Sequence, residues 1–241
     1  MGEDWKMTEL VKVLLDEGVG QLILNRPQQR NSLVGPLVWE LAAGVTKLSE
    51  DADCKVIIIR GAEGYFCAGL DLKALMADPQ PAWRETFQQD WAGFHRQVYL
   101  CDKPIIGALE GFAIAGGSAL AFACDFLVVG TKSFLHVSEV ERDMMAPVNI
   151  LWLKLRYSLQ LGLKMAVLGE RHYGEDLVRL GVADRCVDDN LVVDTALAMA
   201  HRFASFDLAN LMKLKGALKK HQSEDERIGY FDSLLASIIA G

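Results

Sequence analysis

The stretch Lys103–Asp125, KPIIGALEGFAIAGGSALAFACD, decides how the rest of the chain is read. It gives an apolar strand over Ile105–Leu109, a turn at Gly111, and then Gly116-Gly117 opening a helix of small residues. A strand that runs into a glycine pair at a helix start leaves backbone N–H groups without intrahelical partners. The positive end of the helix dipole then favours an oxygen placed against them. Close packing of a helix on a sheet asks for the same small residues, so the pair taken alone reads either way.

Working outward, the same layout recurs upstream. Lys55–Arg60, KVIIIR, is a continuous apolar strand of the kind buried on both faces. It is followed by the turn Gly61–Gly64 and by Tyr65–Leu72, YFCAGLDL, leading into a helix. Pro79 and Pro81 interrupt the chain before an amphipathic helix over 82–100 carrying Trp83, Phe87, Trp91 and Phe94. Downstream, Phe126–Val129 is a further strand. Strands alternating with helices imply right-handed parallel crossovers and a layered α/β fold. The N-terminal part reads as a hairpin, Leu10–Leu15 and Val19–Leu24 about Asp16-Glu17-Gly18. Asn25-Arg26-Pro27 closes it, and a polar loop with Ser32 as helix cap leads to a helix through Leu37, Leu41, Val45 and Leu48. From Met144 on, strand signals fade. Helices are expected over 149–168, 174–180, 191–205 and 207–221, with Gly169 and Gly181 as stops. The expected division is an α/β core over 1–190 and a helical region over 191–241.

Composition narrows the function. The chain has 241 residues, half of them apolar, and a formal net charge of -7, which disfavours a nucleic-acid-binding or anionic-membrane surface. Five cysteines without C-x-x-C spacing suit buried thiols in a reducing compartment. No apolar run reaches membrane-spanning length, MGEDWKM lacks the regions of a signal peptide, and SIIAG carries no targeting tripeptide. A soluble cytoplasmic protein is the expectation.

Two glycine turns, Cys67-Ala68-Gly69-Leu70-Asp71 and Ala115-Gly116-Gly117-Ser118, leave neighbouring parallel strands. Together they can aim two N–H groups at one carbonyl oxygen, an arrangement suited to an enolate. With NRPQQRNSL, FCAGLDL and KPIIGALEGFAIAGGSALAFACD in colinear order, the chain resembles the enoyl-CoA hydratase/isomerase, or crotonase, superfamily from about Val11 into the helices after Leu191. The resemblance implies a spiral of ββα units with a C-terminal helical region used in trimer assembly, as homotrimer or hexamer. It implies an acyl-coenzyme A thioester substrate, with no separate cofactor and no metal. The N–H groups of Leu70 and Gly116 would hold the thioester oxygen, and backbone near Ala68 the adenine. Arg26, Arg30 and Lys73 would form a basic rim for the nucleotide. Lys213, Lys215, Lys219 and Lys220 form a basic helix face that either reaches a phosphate or is simply solvated. Asp71 occupies a position the family fills with Asp, where it caps the next helix; Glu110 and Asp125 are read as structural.

The acids discriminate. In the family's hydratases one catalytic Glu falls where this chain has Ala119, and the second falls on Glu139 in FLHVSEV, where Ser-Glu-Val resembles some Δ3,Δ2-enoyl-CoA isomerases. Water addition usually divides its work between two carboxylates, whereas moving a double bond needs a proton taken from C2 and returned at C4, which one carboxylate can do. Enoyl-CoA isomerisation through Glu139 is therefore the leading expectation. Decarboxylation or hydrolysis of an acyl-CoA, hydration, and non-catalytic acyl-CoA binding are the alternatives. A surface carboxylate at a strand end is the plain reading of Glu139 outside the family register. His136 is read as a packed or hydrogen-bonded histidine, and Met144–Asn149, MMAPVN, departs from the glycine-rich helix start common in the family.

Overall fold

The computed structural model describes residues 9–219 and 223–240, so MGEDWKM, Lys220 and the final glycine lie outside the described residues. Strands β1 (Val11–Asp16) and β2 (Val19–Leu24) pair antiparallel around Glu17 and Gly18, both at positive φ. Helix α1 (Gly35–Glu50) follows, then β3 (Val56–Gly61), the short α2 (Leu72–Leu75) and α3 (Phe87–Leu100). Next come β4 (Ile105–Leu109), β5 (Phe112–Ile114), α4 (Gly116–Ala123), β6 (Phe126–Gly130) and β7 (Phe134–His136). The remainder is α5 (Pro147–Arg156), α6 (Leu159–Val167), β8 (His172–Tyr173), α7 (Gly174–Arg179), β9 (Arg185–Val187), α8 (Val192–Ala204), α9 (Leu208–Leu218) and α10 (Glu224–Ala240).

A six-stranded sheet in the order β1-β2-β3-β4-β6-β9 is parallel apart from its β1–β2 hairpin. Beside it lies a three-stranded sheet, β5-β7-β8. The chain winds between them repeatedly. Each turn leaves the large sheet, touches the small one, and returns through a helix: β4, β5, α4, and then β6, β7, α5. The parallel bridges Cys67–Ala113 and Leu33–Leu70 extend the same rhythm back through β3 and β2. This is the expected spiral of ββα units, and it stacks successive strand-to-helix turns side by side.

Several boundaries differ from expectation, each for a local reason. Ser32 does not cap α1, which starts at Gly35 with proline in its first turn; the Ser32 hydroxyl instead donates to Asp71 at 3.2 Å. The expected helix over 149–168 breaks at Tyr157, because Ser158 caps a new helix by accepting from the Leu161 N–H. Short strands β8 and β9 form after Met144, too brief for a periodic signal. The helical region from 191 packs on the core. α8 places Val192, Ala196, Ala200 and Ala204, four residues apart on one face, against Val19, Val56, Ile58, Ile106 and Val128 of the large sheet. α10 returns onto α3 and α5, burying Phe231, Leu235 and Ile238. Four cysteines are fully buried and Cys186 is half-buried, all as free thiols; burial pushes Cys67 and Cys124 up to about 12. No helix among the described residues is long and apolar enough to cross a membrane.

Candidate active site

A cleft of about 730 Å³ opens where the glycine turns end, and both Leu70 and Gly116 line it. Gly69 sits at φ +81°, and Ala115, a residue with a Cβ, at φ +51° and ψ −114°. Side chains resist that region, so the Ala115 turn is held by its neighbours. The His136 carbonyl accepts from the Ala115 N–H at 2.9 Å and from Ser118 Oγ at 2.8 Å. The pivot makes Gly116 the first residue of α4, with an N–H that the helix cannot use.

The two turns touch. A methyl group on Gly69 would lie 2.6 Å from the Ile114 carbonyl oxygen and 3.4 Å from the Gly116 nitrogen, and one on Gly117 would collide with the Cys67 carbonyl oxygen. Glycine is required here for close backbone approach. Gly69→Ala is expected to lower the unfolding free energy by about 1–3 kcal/mol, because a Cβ at positive φ meets backbone that cannot swing aside; urea melts measure it. Leu33 pairs with the Gly69 carbonyl and the Asp71 N–H at 2.8 and 2.9 Å. In a parallel bridge this turns the N–H of the intervening Leu70 away from Leu33, to the side of β5. Among the described residues neither the Leu70 nor the Gly116 N–H donates to backbone outside the regular elements.

Glu139 stands across the same cleft on the short helical turn Glu139–Arg142 that follows β7. Its Oε1 accepts from Asn149 Nδ2 at 2.9 Å, while Oε2 is buried without a partner among the described residues. Burial raises its pKa above the usual carboxylate range; the Asn149 amide and the Arg142 charge oppose this without reversing it. Ala119, fully buried, puts a methyl on the cleft wall. Phe87 and Trp91 on α3, Leu235 and Ile239 on α10, and Met144 and Met145 give the cleft an apolar wall, while Arg30, Arg84 and Arg142 border it.

Of the residues expected to meet coenzyme A, Arg30, Ala68 and Asp71 line this cleft. Asp71 also caps α2, accepting from the Ala74 N–H at 2.9 Å. Burial alone would raise the Asp71 pKa, but that cap and Arg26 hold it below the ordinary value. Arg26 is not at the rim. Its guanidinium turns inward, 3.0 Å from Asp71 Oδ2, and also donates to the Ser32 carbonyl and hydroxyl. Lys215 lies away from the cleft: its ammonium meets Asp125 at 2.5 Å and the Lys103 carbonyl at 2.8 Å. Lys219 likewise meets Asp102 and the Leu100 and Cys101 carbonyls. α9 thus lays its lysines over the C-terminal end of α3, where unpaired carbonyls and two aspartates attract cations. Only Lys213 of that face is exposed among the described residues, and Lys220 lies outside them. His136 is hydrogen-bonded as expected, its Nε2 at 3.1 Å from the Gly169 carbonyl, and Asp125 is structural, paired with Arg156.

Two residues at the site carry no expectation from the sequence. Ala115 shows no warning of its positive φ. Asn149 is a lone amide in the apolar helix PVNILWL, and that isolation is the signal that could have found it.

The profile of the family described as Enoyl-CoA hydratase/isomerase matches residues 15–233. The chain belongs to the enoyl-CoA hydratase/isomerase family. It is 30% identical over 191 residues to human "Enoyl-CoA hydratase domain-containing protein 2, mitochondrial", a match covering 78% of this chain and 65% of that protein. It is 29% identical over 197 residues to human "Delta(3,5)-Delta(2,4)-dienoyl-CoA isomerase, mitochondrial", covering 76% and 60% respectively. The chain therefore spans about two thirds or less of the length of these relatives. An enoyl-CoA hydratase/isomerase from Xanthobacter autotrophicus Py2 superposes with a TM-score of 0.83 at 26% identity, covering 96% of this chain and 86% of that one. Family members named as hydratases and as isomerases thus stand at similar distance, and the reaction has to be argued from the site.

Proposed function

We propose that the protein is an acyl-CoA-processing enzyme that moves the double bond of a 3-enoyl-CoA to the 2-position. The observation that carries this reading is the asymmetry of the cleft: Glu139 has an oxygen left unpartnered among the described residues, Asp71 is tied to Arg26 and the Ala74 N–H, and the methyl of Ala119 stands where a second acid would. The N–H groups of Leu70 and Gly116 both donate to the thioester oxygen, forming an oxyanion hole. Glu139 takes a proton from C2, and the C2–H electron pair moves toward the thioester carbon, giving an enolate held by those two donors. The same carboxyl then delivers the proton to C4, and the double bond settles between C2 and C3. A carboxyl whose pKa is raised by burial is a stronger base when ionised and keeps the proton long enough to return it.

The anionic coenzyme A portion lies toward Arg30 and Arg84, and the acyl chain against Phe87, Trp91, Leu235 and Ile239. Assembly as a homotrimer or hexamer belongs to the same proposal, supported by the exposed Leu214 and Leu218 on α9, and sedimentation reads it. The test is incubation with 3-hexenoyl-CoA, crotonyl-CoA and a malonyl-type thioester. Formation of the conjugated product from the first is expected. Faster water addition to crotonyl-CoA, or carbon dioxide release from the third, would replace this reading with hydration or decarboxylation.

A further inference from the structure

We infer that Asn149 is a positioning residue that ties the proton-carrying carboxylate to the turn presenting the Gly116 N–H. The inference rests on the isomerase reading only for its kinetic consequence. Asn149 is 2% exposed, on the first turns of α5. Both hydrogens of its amide are used: one meets Glu139 Oε1 at 2.9 Å, the other the Ala115 carbonyl at 3.1 Å. Both partners are acceptors, so the nitrogen must face them and the amide orientation is fixed. Ala115 is the strained pivot whose next residue is Gly116. A single side chain therefore joins the acid to the oxyanion turn across the cleft.

The consequence is a division of labour between the two oxygens of Glu139. Oε1 is held by Asn149, and Oε2, buried and without a partner among the described residues, is the oxygen left to carry the proton. The other groups bearing on this carboxylate are the Arg142 charge and the backbone N–H groups of Ser138 and Glu139 itself. None of these reaches across from α5; the backbone bond from Ala115 to the His136 carbonyl fixes the turn against β7, and Asn149 ties the carboxylate itself to that turn.

The experiment titrates Glu139 directly, by NMR of protein labelled with 13C-carboxyl glutamate, the Glu139 signal being assigned by its loss in Glu139→Gln. Removing a donor from a carboxylate raises its pKa. Asn149→Ala is therefore expected to move the Glu139 titration upward by about one pH unit. In turnover, kcat falls by about tenfold or more while KM stays within a few-fold, because the acid is mis-aimed rather than the substrate lost. The nearly isosteric Asn149→Asp keeps the packing and sets a second carboxyl against the first, so the upward shift is larger. An unchanged Glu139 titration in both variants, or a raised KM with kcat intact, overturns the assignment. A wild type inert toward 3-enoyl thioesters, but with a titration that still answers to Asn149, sinks the isomerase reading and leaves the positioning role standing.

Discussion

Glu139→Gln is expected to fold normally, bind the thioester with little change in KM, and lose about a thousandfold or more in kcat for double-bond migration. Glutamine keeps the shape and offers an oxygen to the Asn149 amide at the place of Glu139 Oε1. It takes up no proton at neutral pH. A positioned general base contributes about 10²–10⁴-fold. In the proposed isomerisation the same group both removes and returns the proton, so both steps fail together. A hydratase with two acids would retain a partner to share the work; here the opposing position is the methyl of Ala119. The pH profile adds a second check. The base must be ionised in the free enzyme, and burial holds its pKa above the usual carboxylate range. Activity of the wild type is therefore expected to fall with falling pH through that raised value, and the limb should vanish in the residual activity of Glu139→Gln. Turnover in the variant within tenfold of wild type would remove Glu139 from the chemistry.

The part of the site made by backbone is the part legible in the sequence. Glycine spacing registers a close approach because no other residue tolerates it, so the contact of Gly69 with the Ala115 turn shows through as CAGL and AGGS. The alternation of apolar strands with small-residue helices likewise reports the layers, since burial on both faces leaves an unbroken apolar run such as KVIIIR. Long polar side chains do not register in this way. Arg26 and Lys215 read as cations available to phosphate, yet each has a carboxylate from a distant part of the chain within 3.0 Å. Asp71 is 45 residues from Arg26, and Asp125 is 90 residues from Lys215. A flexible stem finds whatever partner folding brings to it, and local sequence carries no record of that. Asn149 fails for the opposite reason. It lies ten residues from Glu139, close enough to suggest a partner, but the intervening turn MMAP sets the direction of approach only once folded. The resemblance to the family carried the register of Glu139 and Ala119; spacing alone would have left Glu139 a surface acid.

Acidification below about pH 6.5 is expected to destabilise the protein through His95. This histidine is fully buried on α3 among Trp91, Phe94 and Trp152, with the Trp91 ring 4.2 Å away edge-on. Its Nδ1 accepts from Trp152 Nε1 at 2.8 Å, so the neutral ring carries its proton on Nε2. Nε2 itself has no partner among the described residues. Protonating the ring would require Nδ1 to give up the Trp152 bond and would place a bare charge among aromatic rings. Burial accordingly pushes its pKa down to about 3, from 6.5 for an exposed histidine. The folded state then resists a proton that the unfolded chain accepts. For a group depressed in this way, stability is complete above the unfolded value of 6.5 and declines as pH falls below it. The slope approaches about 1.4 kcal/mol per pH unit, reaching roughly 5 kcal/mol near pH 3, against a typical total of about 5–15 kcal/mol. His172, also lowered by burial, adds to the decline, while Glu139 and Glu110, both raised by burial, oppose it by taking up protons when folded. Asp71, Asp102 and Asp125, held below their ordinary values by their partners, contribute only at more acid pH. The window between about pH 4.5 and 6.5 therefore belongs mainly to His95. His95→Asn puts an Oδ1 acceptor near the Nδ1 position for the Trp152 N–H and removes the titration, so its denaturant midpoint should be markedly flatter across that window, whatever its absolute stability. Equal slopes for wild type and variant would place the acid sensitivity elsewhere.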